Sequence, residues 1–350
     1  MVPDEWPIAP SDEDGGYPAR PAGRRRLPTV RKDFFLDPRD RLTEQERALM
    51  TAMLAELLEA IADEIRAALP PGFLPANDDD SQQLLSELTA AGLIDKVDLI
   101  TLLLRRADEE RIANAIRART SPRGAFLQAL IAEDDDRISA SAMALILARG
   151  RRRNRLGQPR IEFEDLPAPL ARSLAFSVAA VLRQRVTGVL AKDGHPPFGA
   201  AAASLCDARD SNKAIDSVTA GLAGLLNEAK RLDEPLLETA AEEGDIGFLA
   251  HALGDRAGID GSAAWDYLAD GDDGRFVLLL RLAGVTRDFA ARLLALLGDL
   301  VGIGDLGTEI ARFDAMTQAD TQSAREWLQL DPAYRASLRA LGGDGGDRTV

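Results

Sequence analysis

The sequence predicts an all-α protein, an irregular stack of helical hairpins arranged in two helical halves, and three observations lead to that fold class. Hydrophobic residues make up 46% of the 350-residue chain but aromatic residues only 5%. The apolar content is mostly Ala, Leu and Ile recurring every three to four positions, which favours helix over strand. A short signature also repeats: Asp108-Glu109-Glu110-Arg111-Ile112 returns as Asp134-Asp135-Asp136-Arg137-Ile138, 26 residues later, the size of one helical hairpin. Finally, Ala257-Gly258-Ile259-Asp260 returns as Ala283-Gly284-Val285-Thr286, again after 26 residues. Each member of this second pair reads as a glycine stop, an apolar residue and a capping Asp or Thr that restarts a helix.

The elements follow in order. Residues 1–40 combine Pro, Gly and charge without apolar periodicity and read as a disordered tail. Thr43-Glu44-Gln45-Glu46 forms a capping box before a helix expected to run to about Leu69, with Met50, Met53, Leu54, Leu57, Leu58, Ile61 and Ile65 on one face and Pro70-Pro71 as its stop. Shorter helices are expected near 81–91, 96–106, 109–118, 122–132 and 137–149. Gly92 and Gly150 fit left-handed C-terminal caps, and Ser121-Pro122 fits a cap followed by a first-turn proline. In this reading the acids of both signature copies cap a new helix. A basic loop, Arg149 to Arg160, leads through Asp165 to a helix near 168–190 carrying Leu170, Leu174, Val178, Leu182 and Val186. A helix near 213–230 places Ile215, Val218, Leu222 and Leu225 on one stripe.

The Gly- and Pro-containing segment 193–212 is read as a linker between an N-terminal helical domain, 41–192, and a C-terminal helical domain, 213–341, with 342–350 a flexible tail. The echoes at 26 residues suggest HEAT-like, α-α superhelix-like stacking of an irregular kind, because regular solenoids carry more repeats at longer periods.

Composition narrows the function. A formal net charge of −15 repels nucleic acid and anionic membranes, so neither is expected as a partner. A single cysteine, Cys206, excludes an internal disulfide framework, and with no apolar run long enough for a membrane span the protein is expected in the cytoplasm.

Candidate chemistry is sparse. Ala250-His251-Ala252-Leu253-Gly254 is similar to the Ala-His-x-Leu core of histidine phosphotransfer helices, which makes His251 an alternative phosphoacceptor. Here, however, Gly254 and Asp255 stand where that pattern has Lys and Gly, and a carboxylate four residues on repels an incoming phosphoryl group. Asp270-Gly271-Asp272-Asp273-Gly274 hints at a calcium loop, but the twelfth position is Arg281 where a bidentate Glu is required. Cys206, His195 and His251 cannot assemble a tetrahedral Cys/His zinc site. Neither a phosphate-binding G-x-x-x-x-G-K-[ST] loop nor a G-x-S-x-G elbow occurs. No catalytic residue, cofactor or metal is therefore expected. The basic loop has two readings. Its arginines can simply be solvated and complement the preceding helix C-terminus, or Arg151, Arg152, Arg153 and Arg155 can contact an acidic partner or phosphate. No aromatic residue interleaves them until Phe163, so a platform for single-stranded nucleic acid is missing.

Several stretches resemble one family, the mainly alphaproteobacterial, all-helical proteins grouped as the domain of unknown function numbered 2336. They are Leu42-Thr43-Glu44-Gln45-Glu46-Arg47-Ala48-Leu49-Met50, Arg106-Ala107-Asp108-Glu109-Glu110-Arg111-Ile112-Ala113, Ala142-Met143-Ala144-Leu145 with the arginines after it, Asp165-Leu166-Pro167, and Gly244-Asp245-Ile246-Gly247-Phe248-Leu249. Together they span about 42–290. The resemblance implies a helical fold in a bacterial cytosol, brings no catalytic residue, and places His251 at a position that is not expected to be essential. The functional expectation is a non-enzymatic helical scaffold or adaptor that binds another bacterial protein. The alternatives are a phosphorelay component using His251 and a ligand-sensing regulatory module.

Overall fold

The computed structural model describes residues 42–69, 81–120, 125–186, 197–269 and 274–341. The expectations for residues 1–40, Pro70-Pro71, Ser121-Pro122, His195, Asp270 to Asp273 and 342–350 lie outside the described residues. Backbone contacts group the chain into residues 1–47 and residues 48–350. The described part of the first unit holds the capping box: the Thr43 hydroxyl accepts from the Glu46 N–H at 3.1 Å, and the Glu46 carboxylate accepts from the Thr43 N–H at 2.8 Å.

The described residues form sixteen α-helices, an all-α fold. They are α1 (Glu44–Ala67), α2 (Ser81–Ala90), α3 (Val97–Arg119), α4 (Ala125–Ile131), α5 (Asp136–Arg151), α6 (Ala168–Val186), α7 (Phe198–Ala208) and α8 (Ile215–Glu228). The remainder are α9 (Glu234–Glu242), α10 (Ile246–Ala257), α11 (Gly261–Ala269), α12 (Arg275–Leu282), α13 (Arg287–Leu297), α14 (Leu306–Ala315), α15 (Gln318–Gln329) and α16 (Pro332–Ala340).

Apolar stripes decide the packing as expected in α1 and α6, whose predicted core residues are all buried. In α8 the stripe is rotated: Thr219, Leu222, Ala223 and Leu226 are buried, while Ile215, Val218 and Leu225 are only partly so. The segment read as a linker contains a helix, α7, packed on α6, because Phe198, Ala201 and Ala202 supply it with an apolar face.

The buried side chains fall into two clusters. One joins α1, α2, the first half of α3, α6 and α7. The other joins the second half of α3, α4 and α5 to most of the helices from α8 onward. Core membership thus does not follow chain order, since α4 and α5 pack with the later helices. At the centre of the second cluster is α10, which touches α3, α8, α9, α11 and α12. It is buried on every side, from Ile246 and Phe248 through Leu253 to Ala257.

The helix boundaries correct one expectation. Residues 96–106 and 109–118 are not two helices but the single helix α3, so Asp108, Glu109 and Glu110 lie in its interior and cap nothing. No Gly or Pro interrupts this stretch, and Ala, Leu, Glu and Arg all propagate a helix. The second copy of the signature does cap: the Asp135 side chain accepts from the N–H groups of Arg137 and Ile138 at the start of α5. Gly150 is likewise helical and not a left-handed cap, whereas Gly92 (φ 67°), Gly258 (φ 73°) and Gly284 (φ 65°) are left-handed as expected. Thr286 and Asp260 then cap the helices that follow.

Gly261, the first residue of α11, is required for a different reason: a Cβ built there would fall on the imidazole Nδ1 of His251. Helix propensity alone favours Gly→Ala by up to about 1 kcal/mol. The expected outcome for Gly261→Ala is nonetheless destabilisation by roughly 1–3 kcal/mol in urea unfolding, because α11 or His251 must move. An unchanged or raised stability would show that the His251 ring does not sit against this helix start.

Candidate functional site

The arginine segment builds the site, and its members take different positions. Arg152 turns inward and is 8% exposed. Its Nε donates to Asp165 at 2.8 Å, Nη1 to the Ala148 carbonyl at 2.9 Å and Nη2 to the Lys213 carbonyl at 2.9 Å. Asp165 also accepts from the N–H groups of Glu162 at 3.0 Å and Ile215 at 2.9 Å. One buried ion pair therefore ties the end of α5 to the turn before α6 and to the start of α8.

After Arg152 the chain makes a tight hairpin. Arg153 and Pro159 form an antiparallel bridge, Gly157 is left-handed at φ 76°, and the Asn154 carboxamide oxygen accepts from the N–H groups of Leu156 and Gln158, both at 3.0 Å. The Asn154 amide also donates to Glu56 of α1 at 2.7 Å, anchoring the hairpin. Arg153 donates to Glu110 at 2.6 Å. Burial alone would raise the Glu110 carboxyl, but the hydrogen bond and charge of Arg153, with the charge of Arg117, hold it below its ordinary value. Arg151 and Arg155 are exposed and have no ionic or hydrogen-bonded side-chain partner among the described residues. Leu156, at the hairpin tip, is 84% exposed. The basic loop therefore does not form one cationic surface: Arg152 and Arg153 are held in internal pairs, and Arg151 and Arg155 face outward.

Beneath the hairpin lies a cleft of about 500 Å³. Its walls come from α3, the first turn of α4, the end of α5, the start of α8 and the turn between α9 and α10. Six arginines (106, 117, 149, 152, 153 and 160) and five carboxylates (Glu109, Glu110, Asp216, Glu243 and Asp245) line it. Arg149 donates to both Asp245 oxygens at 2.6 Å, and Asp245 caps α10 by accepting from the Phe248 N–H at 3.2 Å. Gly244 (φ 74°) lets this turn approach α3, since a Cβ there would lie 3.0 Å from the Ala113 carbonyl oxygen.

A charge network extends from the cleft into the core. Arg105 and Arg106 of α3 both reach Glu109 on the next turn, and three nitrogens converge on Oδ1 of Asp216: Arg105 Nη2 at 3.1 Å, Arg106 Nη2 at 2.9 Å and His251 Nε2 at 3.4 Å. The Arg105 guanidinium also lies 5.5 Å from the Trp265 ring centroid. Burial acts to raise the Asp216 carboxyl, but Arg106, the His251 hydrogen bond and Arg105 outweigh it and hold the group well below the usual carboxylate range. His251 itself is 7% exposed and does not line the cleft.

Sequence reasoning identified Arg152, Arg153 and His251 but missed the Arg106, Glu109, Arg117, Asp216 and Asp245 set. The Arg105-Arg106 pair followed by Glu109 was a local signal for an ion-paired helix face. Asp216 and Asp245 carried no such signal, because their partners are distant in sequence.

These features define a class, an all-helical protein with a charge-lined cleft where its hairpin, α3, α8 and α10 meet. The model of the family described as "Uncharacterised protein conserved in bacteria (DUF2336)" matches residues 85–327, and the chain belongs to that family. Comparison with curated proteins and with solved structures finds no match. Among the described residues no helix is long and apolar enough to cross a membrane.

Two measurements probe this site. Arg152→Ala leaves Asp165 buried without its charge partner, and a loss of about 3–5 kcal/mol is expected in denaturant titration. Arg151→Ala, at an exposed position, is expected to stay within about 0.5 kcal/mol of the parent. Asp216 makes the stability pH-dependent. Its folded-state pKa is depressed, so its contribution is fully present above the unfolded carboxylate value of about 4 and is lost as the pH falls further. The stability difference between the parent and Asp216→Asn should be constant from pH 7 to about 5 and shrink below about pH 4. A difference that instead grows on acidification would contradict the ion-paired assignment.

Proposed function

We propose that the protein is a non-enzymatic binding module of the bacterial cytoplasm that docks another protein through the outer face of α5 and the hairpin after it. One observation carries this reading: the hairpin is braced by its own hydrogen bonds and by Glu56, yet it holds Leu156 84% exposed directly after the outward-facing Arg155, with the exposed Arg151 at its base. An apolar side chain held in water on an ordered hairpin is surface whose burial against a partner would be favourable. The outer face of α5 extends the same character, with Met143 (43% exposed) and Leu147 (59% exposed) spaced four residues apart and Arg151 four further on. On a chain of net charge −15 this is a local cationic and apolar patch, complementary to a partner segment that presents apolar side chains flanked by carboxylates.

The phosphorelay alternative receives less support. His251 is 7% exposed, lies against Gly261 and has its Nε2 facing the Asp216 carboxylate, so a phosphoryl donor would have to enter a filled site whose imidazole nitrogen is already occupied. The role of His251 in this reading is to help fill the interface between α10, α11 and α8.

The test is capture of partners from a bacterial lysate by the full chain, compared with the double variant Arg151→Glu, Arg155→Glu and with Leu156→Ser. All three positions are exposed, so thermal unfolding of the variants should match the parent. A specific partner that is recovered with the parent and lost with both variants is the expected outcome. Equal recovery with all three proteins would remove the hairpin from the interface.

A further inference from the structure

We infer that the exposed face of α3 is a self-association surface, on which a second copy of this chain docks antiparallel about a two-fold axis. The inference is independent of the docking surface proposed above, which lies on α5 and the hairpin.

Along the first two turns of α3, Val97, Ile100 and Leu104 stay in water, 81%, 44% and 37% exposed. The other faces of the same stretch are buried through Leu99, Leu103, Arg105 and Ala107. The spacing of three and then four residues sets Val97, Ile100 and Leu104 in one line on the helix. Singly exposed apolar residues are ordinary on a protein surface, but an aligned apolar stripe is the form in which helices pack on one another. The line ends in charge. Its next two members are Asp108 and Arg111, which pair with each other at 3.0 Å, and Arg111 also donates to the Leu300 carbonyl at 3.0 Å. Before Val97 stand Asp95 and Lys96, both exposed.

The charges at the two ends of the stripe select the occupant. Along the chain they read acid before base at both ends, Asp95 and Lys96 before the stripe, Asp108 and Arg111 after it. Two copies laid parallel would bring like charges together. Turning one copy end for end inverts the order. In a single register Ile100 then meets Leu104 of the second copy, Lys96 meets its Asp108 and Asp95 meets its Arg111. A two-fold axis makes each of these contacts twice, which is the isologous interface of a homodimer. Lys96 has no ion-pair partner in its own chain among the described residues, so it gives up none to make this contact. Three side chains cover less surface than the roughly 800 Å² per partner of stable complexes, so the dimer is expected to be weak and concentration-dependent.

The test is sedimentation equilibrium of the full chain from micromolar to submillimolar concentration, with thermal unfolding recorded for every variant. The parent is expected to show a monomer–dimer equilibrium. Val97→Glu, at an exposed first-turn position where an acid favours the helix, should keep the melting temperature and weaken dimerisation at least tenfold. Ile100→Ser should weaken it in the same direction. Lys96→Ala and Asp108→Ala are then combined in a double-mutant cycle. Within one copy the helix holds these two residues about 18 Å apart, too far to couple. The double variant is expected to dimerise as strongly as either single variant, because each removes the same pair between copies. Arg155→Glu, on the hairpin, should leave dimerisation unchanged while impairing the proposed docking surface, so failure of one reading is distinguishable from failure of the other. A parent that stays monomeric at submillimolar concentration, dimerisation undiminished by Val97→Glu and Ile100→Ser, additive losses at positions 96 and 108, or loss of the dimer with Arg155→Glu would overturn the inference.

Discussion

The ion pair between Arg152 and Asp165 is the constraint on which the central architecture depends. Neither residue belongs to an apolar stripe, yet both are almost fully buried. Charges in such a place are tolerated only when each is paired and its remaining hydrogen-bonding capacity is used. Both conditions are met: the guanidinium also reaches the carbonyls of Ala148 and Lys213, and the carboxylate also holds the N–H groups of Glu162 and Ile215. Hydrophobic burial is non-directional and could bring α5, α6 and α8 together in several registers. The fixed geometry of a guanidinium and a carboxylate selects one. Ile161 and Leu166 flank Asp165 in one apolar cluster, while Leu145 precedes Arg152 in the other, so the pair sits where the two cores meet.

The cleft follows from that junction. Helices that converge on a polar cluster cannot close as tightly as helices that meet through leucine, and the space left above Arg106, Asp216 and Asp245 is lined by the side chains that hold the junction together. The hairpin after Arg152 covers it because Arg153 pairs with Glu110 and Asn154 with Glu56. Structural and candidate binding residues are interleaved in consecutive positions: Arg151 outward, Arg152 inward, Arg153 across the cleft, Arg155 outward. A run of arginines is thus divided among three tasks by the direction in which each side chain leaves the backbone.

The repeated acidic signature shows the same principle on helices. At Asp134-Asp135-Asp136 the chain has just ended α4, so an acid is available to accept from free N–H groups, and Asp135 caps α5. At Asp108-Glu109-Glu110 nothing stops α3, the local N–H groups are already bonded, and the acids turn to side chains instead. Asp108 pairs with Arg111, Glu109 with Arg105 and Arg106, and Glu110 with Arg153. Identical local chemistry therefore has two outcomes, decided by whether the backbone before it is helical.

By itself the sequence determined the helical class, the buried faces of α1 and α6, and the glycine stops at Gly92, Gly258 and Gly284, because these depend on periodicity and on backbone conformations available at single positions. It also determined that the chain is acidic with a local concentration of arginine at 149–160. Tertiary structure alone decided that 97–119 is one helix, that α4 and α5 pack with the later helices, and that Arg152 is a core residue while Arg155 is not. It alone assembled Arg106, Asp216, Asp245 and His251 around one junction. The physical reason is distance along the chain. Caps and stripes involve residues within a turn or two of one another, whereas Arg149 meets Asp245 and Arg105 meets Asp216 across roughly a hundred residues. No spacing rule registers a partner that only the folded core brings near.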